Sequence, residues 1–405
     1  MSRREKTSYV VVRQLEQDDK RITRQSISAQ ESGARLRISA TTRLEISVQQ
    51  ATEPEARSLR EDRRNRAVAT CMPLRLIRPR PRSVPLDSSE RLSAWGLDAV
   101  GARNSTVSGK GVVVAILDTG INRAHEAFRR FDAGSLQERD FTGEGNGDWH
   151  GHGTHCAATI FGGPIDGVRI GVAPGVSQVL IGKVIGKHSK SSTEALVKAM
   201  EWAVAEGAHV ISMSLSVNPI AMAKALIAQR LPGDVAWSQA LKAYRENTRL
   251  FDTLCSLLSS NPYVGRETLF ISASGNSSRR DSDADHVVAA ELPASSQHMI
   301  AVGAVDAGRR VAAFSNSDPL LVAPGVDVLS AGKNSGLRCM SGTSMAVPHV
   351  AGCAALWIEK FCGESAVRRH PQWLQQVKSA LINSAVPLPD AHPDDVGVGL
   401  VQAPA

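Results

Sequence analysis

Apolar side chains gather in five short runs along the chain, at residues 112–117, 179–185, 209–214, 268–273 and 299–304. Each run is near-continuous and bounded by turn-forming residues, which predicts strands buried on both faces of a parallel sheet. Residues 192–205 and much of 239–258 lie between runs and carry helical spacing, and 152–161 and 344–360 read as further helices. The alternation predicts an open α/β fold, a mostly parallel sheet with helices on both faces, whose ligands bind at the carboxyl ends of the strands. Asp118 and Asn276 fall just past strand ends, while His152 and Ser344 begin helical runs. All four can therefore meet at one edge of the sheet.

The N-terminal fifth reads as a separate small α/β unit. It has strand-like runs at 9–15 and 43–49, a charged helix at 53–64 and an apolar stretch at 67–77. Thr52-Glu53-Pro54-Glu55 starts that helix with a polar cap, a proline in the first turn and acids favoured by the helix dipole. Arginine and proline then alternate from Arg78, and the stretch to Pro85 is predicted to be an extended, exposed linker. The expected division is a basic module at 1–82 and a catalytic domain at 83–405. Within the latter, 217–268 looks inserted, with helices at 222–230 and 237–259 split by Leu231-Pro232-Gly233-Asp234.

Composition narrows the function classes. The net charge of +7 would suggest an anionic partner, but residues 1–86 hold nineteen Lys/Arg against ten Asp/Glu, so the excess sits in the N-terminal module. Those arginines are interspersed with acids and have few aromatic neighbours, so no nucleic-acid partner is expected. No apolar run reaches the length of about 18 residues that a membrane span needs. The run at 8–13 is too short for a signal-peptide core, so a cytoplasmic location is expected, with export by an unrecognised route left open. Six cysteines without a CxxC pair are expected to be free thiols, with Cys156 and Cys353 acting as small buried hydrophobes.

Candidate chemistry lies in four motifs. Val113 to Gly120 ends in Asp118-Thr119-Gly120; Gly151-His152-Gly153-Thr154-His155 follows; Ser341-Gly342-Thr343-Ser344-Met345-Ala346 comes last. An Asp, a His and a Ser so ordered form a triad if the fold gathers them. Ser274-Gly275-Asn276 offers a side-chain amide for an oxyanion hole. On these motifs, residues 90–405 resemble the subtilisin-like serine proteases, the subtilases. Asp-Thr-Gly is also an aspartic-protease signature, but a second copy is lacking, and that reading leaves the His and Ser motifs unexplained. A catalytically silent binding protein on the same scaffold is the alternative from another class; its expected mark, a lost triad residue, is absent.

The resemblance implies a serine endopeptidase acting on polypeptides, with Ser344 as nucleophile, His152 as base, Asp118 orienting it and Asn276 as oxyanion donor. No cofactor is required for that chemistry. His155 is expected to be structural, and Asp148 to order the turn before His152. The N-terminal module resembles the family's propeptide, an intramolecular inhibitor, with self-processing expected after Arg80 or Arg82. Substrate would lie between Ser189-Lys190-Ser191 and Ser214-Leu215-Ser216, where Ser216 replaces the family's usual glycine. Glu291 aligns near the floor of the P1 pocket, which predicts a preference for Lys or Arg there. The family's calcium loop corresponds to 161–167, which holds a single carboxylate, so calcium is not indicated. The insertion reads as a surface feature or as a flap beside the cleft, and the protein as a monomer.

Overall fold

The computed structural model describes residues 6–15, 43–80, 94–188, 191–261, 266–366 and 372–405. The N-terminal part supplies β1 (Thr7–Leu15), β2 (Arg43–Ala51), α1 (Glu53–Glu61), β3 (Asn65–Thr70) and β4 (Leu74–Leu76). There follow α2 (Trp95–Ala99), β5 (Val113–Asp118), β6 (Leu136–Asp140), α3 (His152–Phe161), β7 (Gln178–Lys183), α4 (Thr193–Ala205), β8 (Val210–Met213) and β9 (Leu215–Val217). The insertion forms α5 (Pro219–Ala228) and α6 (Gly233–Ser259), then the short pair β10 (Ser260–Asn261) and β11 (Arg266–Glu267). The chain closes with β12 (Leu269–Ala273), β13 (Met299–Val305), β14 (Leu321–Pro324), β15 (Val328–Ala331), β16 (Leu337–Met340), α7 (Thr343–Ala366), α8 (Trp373–Asn383) and α9 (Pro393–Val396).

Seven strands form the central sheet in the order β14-β13-β12-β8-β5-β7-β6, and every pairing in it is parallel. The five apolar runs are β5, β7, β8, β12 and β13. Sequence reading passed over the two edge strands, β6 and β14. β6 reads Leu-Gln-Glu-Arg-Asp and is only partly buried, because an edge strand covered on one side has no need of a continuous apolar run. One apolar layer packs α3, α7 and α8 against one sheet face. A second packs α4 and α6 against the other, and it includes Val10, Val12 and Ala69 from the N-terminal strands and Met72 just after β3. Burying each such Leu, Ile or Phe contributes about 1.5–3 kcal/mol.

The N-terminal sheet has the order β2-β1-β3, antiparallel throughout. Glu55 Oε2 accepts from both the backbone N–H (2.7 Å) and the hydroxyl (2.9 Å) of Thr52, which fixes the start of α1. The insertion turns out to be the seat of this sheet. Glu246 on α6 accepts from the N–H and hydroxyl of Thr70 and pairs with Arg60; Asn247 donates to Thr70 O, and Lys242 pairs with Glu53. The tie was not legible in the sequence, because it couples side chains some 180 positions apart.

The linker read at 78–85 is described only as far as Arg80. The apolar stretch before it does not run free over the surface: β4 pairs antiparallel with β9 and Ile77 is buried; Arg78 is exposed, and the Arg80 N–H donates to Ser341 O at 2.7 Å.

Candidate active site

Asp118 ends β5 and His152 opens α3, which sets Asp118 Oδ1 2.8 Å from His152 Nδ1. A carboxylate accepts only, so Nδ1 carries a proton, and in the neutral imidazole Nε2 carries the lone pair. Nε2 has no hydrogen-bond partner among the described residues. Burial opposes charging of His152, but Asp118 and Cys156 together outweigh it and lift the imidazole well above its ordinary value. Asp148 holds the preceding turn in place, as expected. Its Oδ1 accepts from Thr119 Oγ1 (2.8 Å), His150 N (2.9 Å) and Gly151 N (2.8 Å), and its Oδ2 from Thr154 N (2.9 Å) and Oγ1 (2.7 Å).

Ser344 lies at the start of α7 and is fully buried. Cys156 places it beside the histidine: the thiol sulfur is 3.8 Å from His152 Nδ1 and 3.4 Å from Ser344 O. The thiol packs with Val328, Met340 and Met345 as a small hydrophobe, and burial raises its pKa. All six cysteines are free. His155 points away from the site, with Nε2 3.1 Å from Val328 O and 3.2 Å from Arg338 O, and burial lowers its pKa to about 3.

Asn276 follows β12. Its Oδ1 accepts from the N–H and hydroxyl of Thr343, each at 2.9 Å, which turns Nδ2 toward the cleft. Gly342 permits this approach, since a Cβ there would stand 2.9 Å from Asn276 Nδ2. Gly275 has φ +122°, and a Cβ on it would collide with the Asn316 amide. Asn316 is a residue that sequence reading missed. Its Oδ1 accepts from Ser277 N (2.8 Å) and Ser278 N (3.1 Å), while its Nδ2 donates to Ser274 O (3.2 Å) and Ala289 O (3.1 Å). It thus clamps the loop carrying Asn276. The signal was a polar Ser-Asn-Ser triplet beside a buried strand, which is common in loops and points to nothing specific.

The cleft is occupied by the chain itself. Leu74 N donates to Ser191 O at 3.1 Å on one side, and β4 pairs Arg75 with Ser216 on the other. This is strand addition between two backbone segments. Ser191, Ser214, Leu215 and Ser216 flank this strand; Ser189, Lys190 and Arg82 lie outside the described residues. At the centre, Ser344 Oγ donates to Ile77 O at 3.0 Å, whereas Asn276 Nδ2 donates to Arg78 O at 3.1 Å. The peptide presented to Ser344 is thus Ile77–Arg78, N-terminal to Arg80. The Arg80 guanidinium is turned to Asn276 O and Ser278 O instead.

Glu291 meets an arginine of this strand. It pairs with Arg75, two residues before Ile77, and not with a basic side chain at the residue facing Ser344. The Arg75 guanidinium also donates to Ser216 Oγ at 3.0 Å and Ser277 Oγ at 3.1 Å. The serine standing in place of the family's glycine therefore completes an arginine-binding corner.

An Asp–His pair and a buried serine at the carboxyl edge of one parallel sheet define the architecture of a serine hydrolase. The Subtilase family profile matches residues 109–399, and the chain belongs to that family; it is a serine-type endopeptidase. Subtilisin Savinase of Lederbergia lenta is 32% identical over 318 residues, covering 77% of this chain and 97% of its own. An alkaline protease of Alkalihalobacillus alcalophilus is likewise 32% identical, over 77% of this chain and 69% of its own. The major intracellular serine protease of Bacillus subtilis (strain 168) is 31% identical over 290 residues, 70% of this chain and 78% of its own.

Proposed function

We propose that this endopeptidase is made as a self-inhibited precursor in which Ser344, His152 and Asp118 are the triad and Asn276 is the oxyanion donor. In the working enzyme His152 Nε2 takes the Ser344 proton, the hydroxyl oxygen attacks the substrate carbonyl carbon, and Asn276 receives the developing oxyanion. His152 then returns the proton to the leaving amine, and water repeats the sequence on the acyl-enzyme. None of these steps needs a cofactor.

The observation that carries the inhibited state is the split between two successive carbonyls. Ser344 donates to Ile77 O while Asn276 donates to Arg78 O. Attack requires the oxyanion donor to hold the oxygen of the same carbonyl whose carbon faces the nucleophile. With the serine proton given to Ile77 O, it is also not directed at His152 Nε2. The strand thus binds as substrate would and stays out of attack register. A shift by one peptide aligns Ile77–Arg78 for cleavage, which replaces the expected processing positions at Arg80 and Arg82. Glu291, Ser216 and Ser277 favour substrates with arginine at the place Arg75 occupies.

The test is intact mass of wild type and Ser344→Ala, each before and after a fluorophosphonate probe. A wild-type chain cut at Ile77–Arg78 and labelled, beside an uncut and unlabelled variant, is the expected result. A cut after Arg82 would overturn the register, and labelling of Ser344→Ala would overturn the nucleophile.

A further inference from the structure

The seam between the N-terminal sheet and α6 opens into a cleft of about 540 Å³. It is lined by Arg57 and Arg60 of α1, Arg66 of β3, and Lys242, Arg245 and Arg249 of α6. Two carboxylates share it, Glu53 and Glu246. Both are already engaged: Glu53 with Tyr9, Lys242 and Arg60, and Glu246 with Arg60 and Thr70. The side chains of Arg57, Arg66, Arg245 and Arg249 have no hydrogen bond or ion pair among the described residues. Arg245 and Arg249 are one helical turn apart, where like charges repel. Four unneutralised guanidinium groups around one cavity raise its potential, and nothing in the packing of the two parts requires them there.

We infer that this cleft binds a short chain of phosphate groups, which bridges the N-terminal sheet and the insertion. Guanidinium groups match phosphate oxygens in paired, charge-assisted hydrogen bonds, and the volume lies within the usual range for small-ligand sites. A nucleic-acid strand carries the same phosphate chemistry but also needs flat side chains for its bases, and the lining has no aromatic residue. Two of the unpaired arginines belong to the N-terminal part and two to α6, so a bound anion ties them together. Where the N-terminal part is the inhibitor, as proposed above, the anion holds the protease in its inhibited state; binding itself does not depend on that reading.

The test is titration calorimetry of full-length Ser344→Ala, which keeps the chain uncut, with inorganic tripolyphosphate and separately with a single-stranded oligouridylate. Tripolyphosphate is expected to bind saturably at one site and more tightly, per phosphate, than the oligonucleotide. Arg245→Ala/Arg249→Ala and Arg57→Ala/Arg66→Ala should each weaken it at least tenfold, while Arg63→Ala/Arg129→Ala, with the same charge change elsewhere, should not. Circular dichroism and the melting midpoint without anion confirm that each variant is folded. Unsaturable binding, equal loss in the control pair, or tighter oligouridylate binding would each overturn the proposal. In the wild type, tripolyphosphate should slow fluorophosphonate labelling severalfold. Binding to Ser344→Ala without that slowing would leave the site standing and remove the inhibitory reading.

Discussion

Replacing Arg75 by alanine removes a charged anchor of the strand that fills the cleft. Its guanidinium makes an ion pair with Glu291 and hydrogen bonds to Ser216 and Ser277. The Glu291 side chain is 15% exposed and that of Arg75 is 41% exposed, so water screens the pair from one side. Hydrogen bonds to charged groups contribute about 1.5–3 kcal/mol each when well buried, and partial screening reduces the three together to about 2 kcal/mol. At about 1.4 kcal/mol per tenfold, the strand should leave the cleft roughly 30 times more often. The backbone ladder of β4 on β9 and the buried Leu74 and Leu76 remain, so the strand is loosened and not lost. The assay is the initial rate at which a fluorophosphonate labels the full-length chain, taken before any cleavage is seen by mass. That rate follows the fraction of time the cleft is open. Glu291→Gln should raise it too, and the double variant should raise it by little more than Arg75→Ala alone. An Arg75→Ala rate equal to wild type would refute the reasoning. So would effects that add within about 0.5 kcal/mol in the double variant, since residues in direct contact should couple.

Two further outcomes follow from the same geometry. On the proposed mechanism, which assigns its Nδ2 to the oxyanion, Asn276→Ala should lower kcat about 100- to 1000-fold with KM little changed in steady-state peptide hydrolysis. In urea titrations of Ser344→Ala, stability should fall as pH drops from about 6.5 toward 4. Burial lowers His155 to about 3 and His349 to about 4, so both stay neutral in the fold while their unfolded counterparts take up protons. Unfolding therefore binds protons throughout that window, and a flat profile across it would contradict the burial of both rings.

How far the sequence could be read depended on whether a structure left a local mark. Strands buried on both faces, such as β5 and β12, are continuous apolar runs, and the helices between them carry their own period, so the sheet and the places of Asp118, His152, Asn276 and Ser344 were legible. Residues that act alone at the end of an element are marked by their glycine-rich surroundings. Residues that act by meeting a distant partner carry no such mark. Arg75 reads as one arginine in an arginine-rich stretch, and only the β4–β9 ladder brings it to Glu291. Glu246 is one acid on an amphipathic helix until β3 is laid against it. The extended chain leading into the Arg-Pro run carried no mark of its partner for a related reason. Proline disfavours helix and removes a donor, which argues for extended chain, but an extended chain suits an open linker and a strand held in a substrate cleft equally well. The deciding quantity is whether complementary backbone edges wait nearby. Ser191 and the 214–216 segment supply those edges, so the same extended backbone that would be solvated in a linker gains hydrogen bonds and buries Leu74, Leu76 and Ile77 in the cleft.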